Sequence, residues 1–190
     1  GKKRKRFSRI NLNSKGKQIS VINSTYPTKT PEDPITTYRT HGLVEILGEQ
    51  GAAAFGEQLE SAPDEAFRRG VMVRAGRAGF HYWLQHEGES FKQIDPDFHF
   101  LPIKKKISTG LVHICSVFTN ANQCSLLFKD HPQWWELEFS GCDASTLPAY
   151  QCCFILGFVQ EFAGWAGMGK LYQVSESSGT CCNSIIIKKE

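Results

Sequence analysis

The chain has 190 residues and a formal net charge of +3, with 41% hydrophobic and 22% charged residues, a balance that suits one globular domain able to bury about 70% of its unfolded surface. No apolar run approaches the roughly 20 residues of a membrane-spanning helix, so no membrane span is expected. The positive excess sits in GKKRKRFSR at residues 1 to 9, which leaves a slightly acidic body and confines any expected nucleic-acid contact to that tail.

Residues 1–34 read as a basic N-terminal arm and linker, with one short strand candidate at Gln18–Asn23 before a polar, proline-bearing connector. A single domain is expected over 35–190. Its first helix is signalled by Leu43, Ile46, Leu47, Phe55 and Leu59, with a break near Gly48 and Gly51. Ser61 as N-cap, Pro63 in the first turn and the acidic pair Asp64 and Glu65 then predict a long helix reaching about His86. Gly70, Gly76 and Gly79 lie inside it at a propensity cost of up to about 1 kcal/mol each, which calls for close approach of another helix or of a ligand.

After DPDFHFLPIKKK, period-two alternation predicts three strands, Leu111–Thr119, Cys124–Lys129 and Trp134–Ser140, with turns at Asn120–Asn122 and Asp130–Pro132. In the third, Trp135, Leu137 and Phe139 share one face, and Trp134, Glu136 and Glu138 the other. A nearly all-apolar helix follows from about Leu147 to Ala166, capped by Ser145 or Thr146 with Pro148 in its first turn. Strands at Lys170–Ser175 and Cys182–Lys188 surround a turn at SSGT. The expected fold is α+β, N-terminal helices packed on an antiparallel sheet in the order helices-β-β-β-α-β-β.

The seven cysteines are an odd number, and no charged-then-apolar segment opens the sequence, so a reducing, cytoplasmic setting with free or metal-bound thiols is expected. The histidines are scattered without HExxH spacing. GRAG at residues 76–79 lacks the GK[ST] ending of a phosphate loop, and no dinucleotide fingerprint is present. Cys115 or Cys153 with His113 would be the candidate nucleophile pair, although their spacing matches no catalytic signature.

Pro148, Cys152, Gly157 with Phe158 beside it, Leu171, Tyr172, Glu176 and a cysteine at the start of the last strand, together with VMVRAGRAGFHYWL upstream, carry a resemblance. The sequence resembles the V4R domain, named after the 4-vinyl reductase proteins of bacteriochlorophyll synthesis. Such domains also serve as sensors in phenol-responsive bacterial transcription activators and share a fold with the TRAPP subunits that tether vesicles. In organisation the likeness spans residues 40–190; its specific motifs lie toward the C-terminus.

In the sensor relatives, the resemblance implies, zinc is held by a cysteine of the last helix, a glutamate of the next strand and two cysteines of the final hairpin. Here Cys152 and Glu176 match the first two, and Cys181 or Cys182 the last, while Ser177 or Ser178 stands where a further cysteine is expected. Cys152, Glu176, Cys181 and Cys182 could supply four ligands, although adjacent strand cysteines point to opposite faces and would need a bulge or turn. The alternative is that these thiols pack as small apolar groups, and Cys153 is read as an ordinary core residue.

The second expected constellation is aromatic. Phe80 and Trp83, Trp135, and Phe154, Phe158 and Phe162 would line a pocket between helices and sheet, with His113 or Tyr172 offering a polar contact. Most of these side chains must also serve as core. The expected function is that of a non-enzymatic small-molecule-binding domain for a hydrophobic or aromatic ligand, forming a homodimer. An accessory or reductase role on a tetrapyrrole, and an assembly subunit of TRAPP-like type, are the alternatives.

Overall fold

The computed structural model describes residues 34–58, 64–120, 125–141, 150–176 and 184–189. The chain divides into two units, Gly1–Pro31 and Glu32–Glu190, and all of the described residues belong to the second. The strand expected at Gln18–Asn23 lies outside them. The fold is α+β: α1 (Pro34–Gln58), α2 (Glu65–Glu87), a short α3 (Ser90–Ile94), one 3-10 turn at Phe98–Phe100, α4 (Ile103–Asn120), β1 (Ser125–Asp130), β2 (Trp134–Ser140), α5 (Gln151–Ala166), β3 (Val174–Glu176) and β4 (Ser184–Lys188). Among the described residues no helix is long and apolar enough to cross a membrane.

Helix α1 is kinked at Gly48, whose φ of 72° belongs to the left-handed region that glycine tolerates without steric cost. Helix α2 starts one turn later than its sequence signals suggest. Its N-cap is Asp64, whose side chain accepts a hydrogen bond from the Phe67 amide at 3.0 Å; Ser61 and Pro63 lie outside the described residues.

One expected strand is a helix. Leu111–Thr119 forms the C-terminal half of α4, so three strands before the last helix become two. The alternation over those nine residues reflects β-branched Val112, Ile114 and Val117. The side chains that are buried are Ile107, Leu111, Ile114, Cys115 and Phe118, the i, i+3, i+4 spacing of a helix face packed on a core. Pro102, immediately before α4, marks where that helical period begins.

The four strands form one antiparallel sheet in the order β1-β2-β4-β3. Phe128 lies opposite Leu137, Leu137 opposite Ile185, and Trp135 opposite Ile187. Since residues directly opposite share a face, these side chains build the inner surface. Trp135, Leu137 and Phe139 do point inward, into the core on the side of α4, as their spacing predicts. On β3 pairing starts at Val174 rather than Lys170, and the last strand is described over Ser184–Lys188, its expected start at Cys182 lying outside the described residues.

Helix α2 lies between α1 and α5, and its glycines explain how closely. A Cβ at Gly76 would overlap the Phe154 carbonyl of α5, and one at Gly157 the Val73 carbonyl of α2. A Cβ at Gly42 of α1 would overlap the Ala75 carbonyl in the same way. Helix packing therefore offsets the propensity cost of Gly76. On the exposed side Glu161 of α5 ties itself to α2, accepting from Arg77 Nε at 2.7 Å and lying 3.0 Å from His81 Nε2. Burial alone would raise the Glu161 pKa, yet the hydrogen bonds and charges of Arg77 and His81 outweigh it and hold the carboxyl below its ordinary range.

Candidate functional site

The sheet register sets where Glu176 points. In the β3–β4 pair, Val174 lies opposite Ile187 and Glu176 opposite Ile185. Both isoleucines are fully buried, so the carboxylate is on the inner face of the strand, an unusual place for a charge unless it is paired. Arg69 of α2 supplies one partner as an ion pair.

The first turn of α5 supplies the rest. One donor atom each from Cys152, Cys153 and Glu176 lies within 4.8 Å of the others, and the two sulfurs are 4.0 Å apart. Cys153 is buried, whereas Cys152 is partly exposed. A hydrogen bond with Cys152, followed by burial, pushes the Cys153 thiol well above its ordinary range, so without a cation it keeps its proton. Two thiols and a carboxylate are the donor types that Zn²⁺ takes, and their spacing fits that ion.

Cys152 and Glu176, paired from the sequence, are thus neighbours in space. Cys153, expected to be an ordinary core residue, belongs to the same cluster. The signal was available in its position: at a helix start, two consecutive side chains diverge by only about 100° and lean toward the N-terminus, unlike consecutive strand residues. Cys181, Cys182, Ser177 and Ser178 lie outside the described residues.

The aromatic residues divide into two groups. Phe80 and Trp83 of α2 and Phe158 and Phe162 of α5 form one contiguous layer. Phe80 meets Phe158 edge-to-face at 5.4 Å between centroids, and Trp83 lies 5.6 Å from Phe158. Phe154 joins through Phe158 at 6.2 Å, and all five are fully buried. Trp135 and Tyr172 make a separate pair, 6.3 Å apart, in which Tyr172 precedes β3 instead of lying within a strand.

Centroid spacings of this kind are direct ring contact. The layer is filled by the protein's own side chains, and sequence reasoning missed three of them. Phe118 of α4 meets Phe158 at 5.0 Å. Phe91 and Phe98, from the segment joining α2 to α4, stack on each other at 4.3 Å with only 5° between their planes. Phe91 also meets Trp83 edge-to-face at 5.0 Å and lies stacked 5.7 Å from Trp165. Their spacing in a short connector without a helical period concealed them.

His113 is carried by α4, not by a strand, and Ser90 Oγ lies 2.8 Å from its Nε2. Burial lowers its pKa, with the charge of Glu87 pulling the other way. Cys115, two residues on, is buried so that its thiol is pushed up to about 12, the opposite of what a thiolate nucleophile requires. The polar contact of His113 is therefore with Ser90, at the rim of the ring layer beside Trp83 and Phe91.

Comparison of the chain with protein-family models, with curated proteins and with solved structures finds no match.

Proposed function

We propose that the chain is a non-enzymatic binding domain of V4R type that holds a small hydrophobic or aromatic molecule against the ring layer and a zinc ion at the α5–β3 cluster. The observation that supports this reading is the meeting of Cys152 and Glu176, carried by different elements, on the inner side of the sheet. Zinc there would be held by Cys152 and Glu176, with Cys181 or Cys182 as further donors. A closed-shell ion with no redox chemistry would serve as a clamp between helix and hairpin.

A small aromatic guest would take the place of a ring that now fills the layer. Phe91 and Phe98 suit that exchange, since they sit on a short connector and present parallel faces next to Trp165. His113 and Ser90 would then offer it a hydrogen bond at the rim. Native mass spectrometry of the full chain, purified gently without added metal, is the test. A homodimer carrying zinc and a co-purified apolar molecule is the expected result. An apo monomer that takes up neither overturns the reading.

A second reading, an assembly subunit of TRAPP-like type, is favoured by one specific observation. Phe100 and Leu171 are each 87% exposed and Met168 is 80% exposed, apolar side chains that a partner protein would cover. A monodisperse homodimer with no co-purifying protein counts against it.

A further inference from the structure

The α5–β3 cluster contains one thiol that the resemblance does not supply. Where a cysteine is expected after the glutamate, this sequence has Ser177 and Ser178, and Cys153 joins the cluster from α5, next to Cys152. We infer that Cys153 is a zinc-binding thiolate that compensates for the cysteine absent after Glu176, an inference that rests on the metal-binding reading above.

The distance between the sulfurs carries the argument. Two thiolates each about 2.3 Å from a tetrahedral ion stand roughly 3.8 Å apart. Cys152 Sγ and Cys153 Sγ are 4.0 Å apart, so both can close on one ion with only a small side-chain adjustment. The Glu176 oxygen lies within the same 4.8 Å cluster, and β3 holds it there through its register with β4. Two carbon-borne sulfurs from one helix turn and an oxygen from a strand therefore approach a common point from two elements.

Charge is consistent with this set. The two thiolates and the carboxylate of the described residues carry one negative charge more than Zn²⁺ neutralises, and Arg69, paired with Glu176, brings a guanidinium to the same place. A carboxylate has two oxygens, so it can receive a guanidinium and a cation together. On binding, each thiol passes its proton to solvent as its sulfur–zinc bond forms. Because zinc binding releases these protons, zinc affinity rises with pH.

The test uses the full chain loaded with one equivalent of zinc, comparing wild type with Cys153→Ala, Cys153→Ser and Cys152→Ala. X-ray absorption counts the sulfur ligands, and chelator competition gives the affinity. Both Cys153 variants should lose one sulfur ligand and at least about 100-fold in affinity, beyond the range caused by removing an outer-shell partner. The serine variant preserves side-chain size, so it decides the matter if the alanine variant does not fold. If Cys152→Ala loses zinc while a folded Cys153 variant keeps the wild-type sulfur count and affinity, the inference alone is overturned. If the wild type takes up no zinc, or Cys152→Ala binds as well as wild type, the metal-binding reading fails and the inference falls with it.

Discussion

Gly76 and Gly157 let α2 and α5 approach until backbone touches backbone, because an added Cβ at either would overlap a carbonyl of the facing helix. Gly76→Ala or Gly157→Ala should therefore cost about 2 kcal/mol or more through forced separation of the helices. Gly164, also in α5, has open space where its Cβ would stand, so Gly164→Ala should stabilise by up to about 1 kcal/mol. Urea unfolding, read as a change of midpoint at constant slope, distinguishes the two signs.

His113 gives a residue-scale prediction in pH. Its pKa in the folded protein lies below the ordinary value of 6.5 because burial opposes the imidazolium, so the unfolded chain takes up the proton first on acidification. The stability linked to this histidine is complete above about pH 6.5 and is lost as pH falls toward the depressed folded value. His113→Gln should flatten that part of the curve. The difference between wild type and variant isolates it from the other histidines. Equal pH slopes for the two proteins in this window would contradict the assignment.

At the scale of elements, α4 and the segment before it show where local pattern misleads. Nine residues containing Val112, Ile114 and Val117 carry a strand-like alternation, and only their continuation from Ile103 and Ile107 reveals the helix period. Burial then selects the helix, since Leu111, Ile114, Cys115 and Phe118 all reach the core. The connector between α2 and α4 has no period to read, yet it contributes Phe91, which is fully buried among Trp83, Phe98, Phe162 and Trp165. Phe91→Ala should destabilise the fold by about 3–5 kcal/mol. If the ring layer receives guests as proposed, benzene should raise the melting temperature of this variant by filling the space left. A loss near 0.5 kcal/mol in urea unfolding would mean that the connector does not seal the core.

For the molecule as a whole, the α5–β3 cluster joins the most buried helix to the edge strand of the sheet. β3 is described over three residues and pairs with β4 at the edge of the sheet. If zinc is held at this cluster as proposed, it favours the native state in which the donors converge, and removing it with a strong chelator should lower the melting temperature. Readdition should restore it in wild type but not in Cys152→Ala. An unchanged melting transition on chelation would argue that the cluster is only packing. The sequence by itself determined the α+β class, the long α2, the faces of β2 and the break at Gly48, because turn residues and short periods are local; the pairing of Cys152 with Glu176 was implied by the resemblance alone. Tertiary structure alone decided that Leu111–Thr119 is helical, that Phe91 and Phe98 complete the ring layer, that Trp135 and Tyr172 stand apart from it, and that Cys153 joins the thiol–carboxylate cluster. Each of those depends on which distant side chain a residue meets. That choice is made by burial of apolar surface across the whole fold, which no window of neighbouring residues contains.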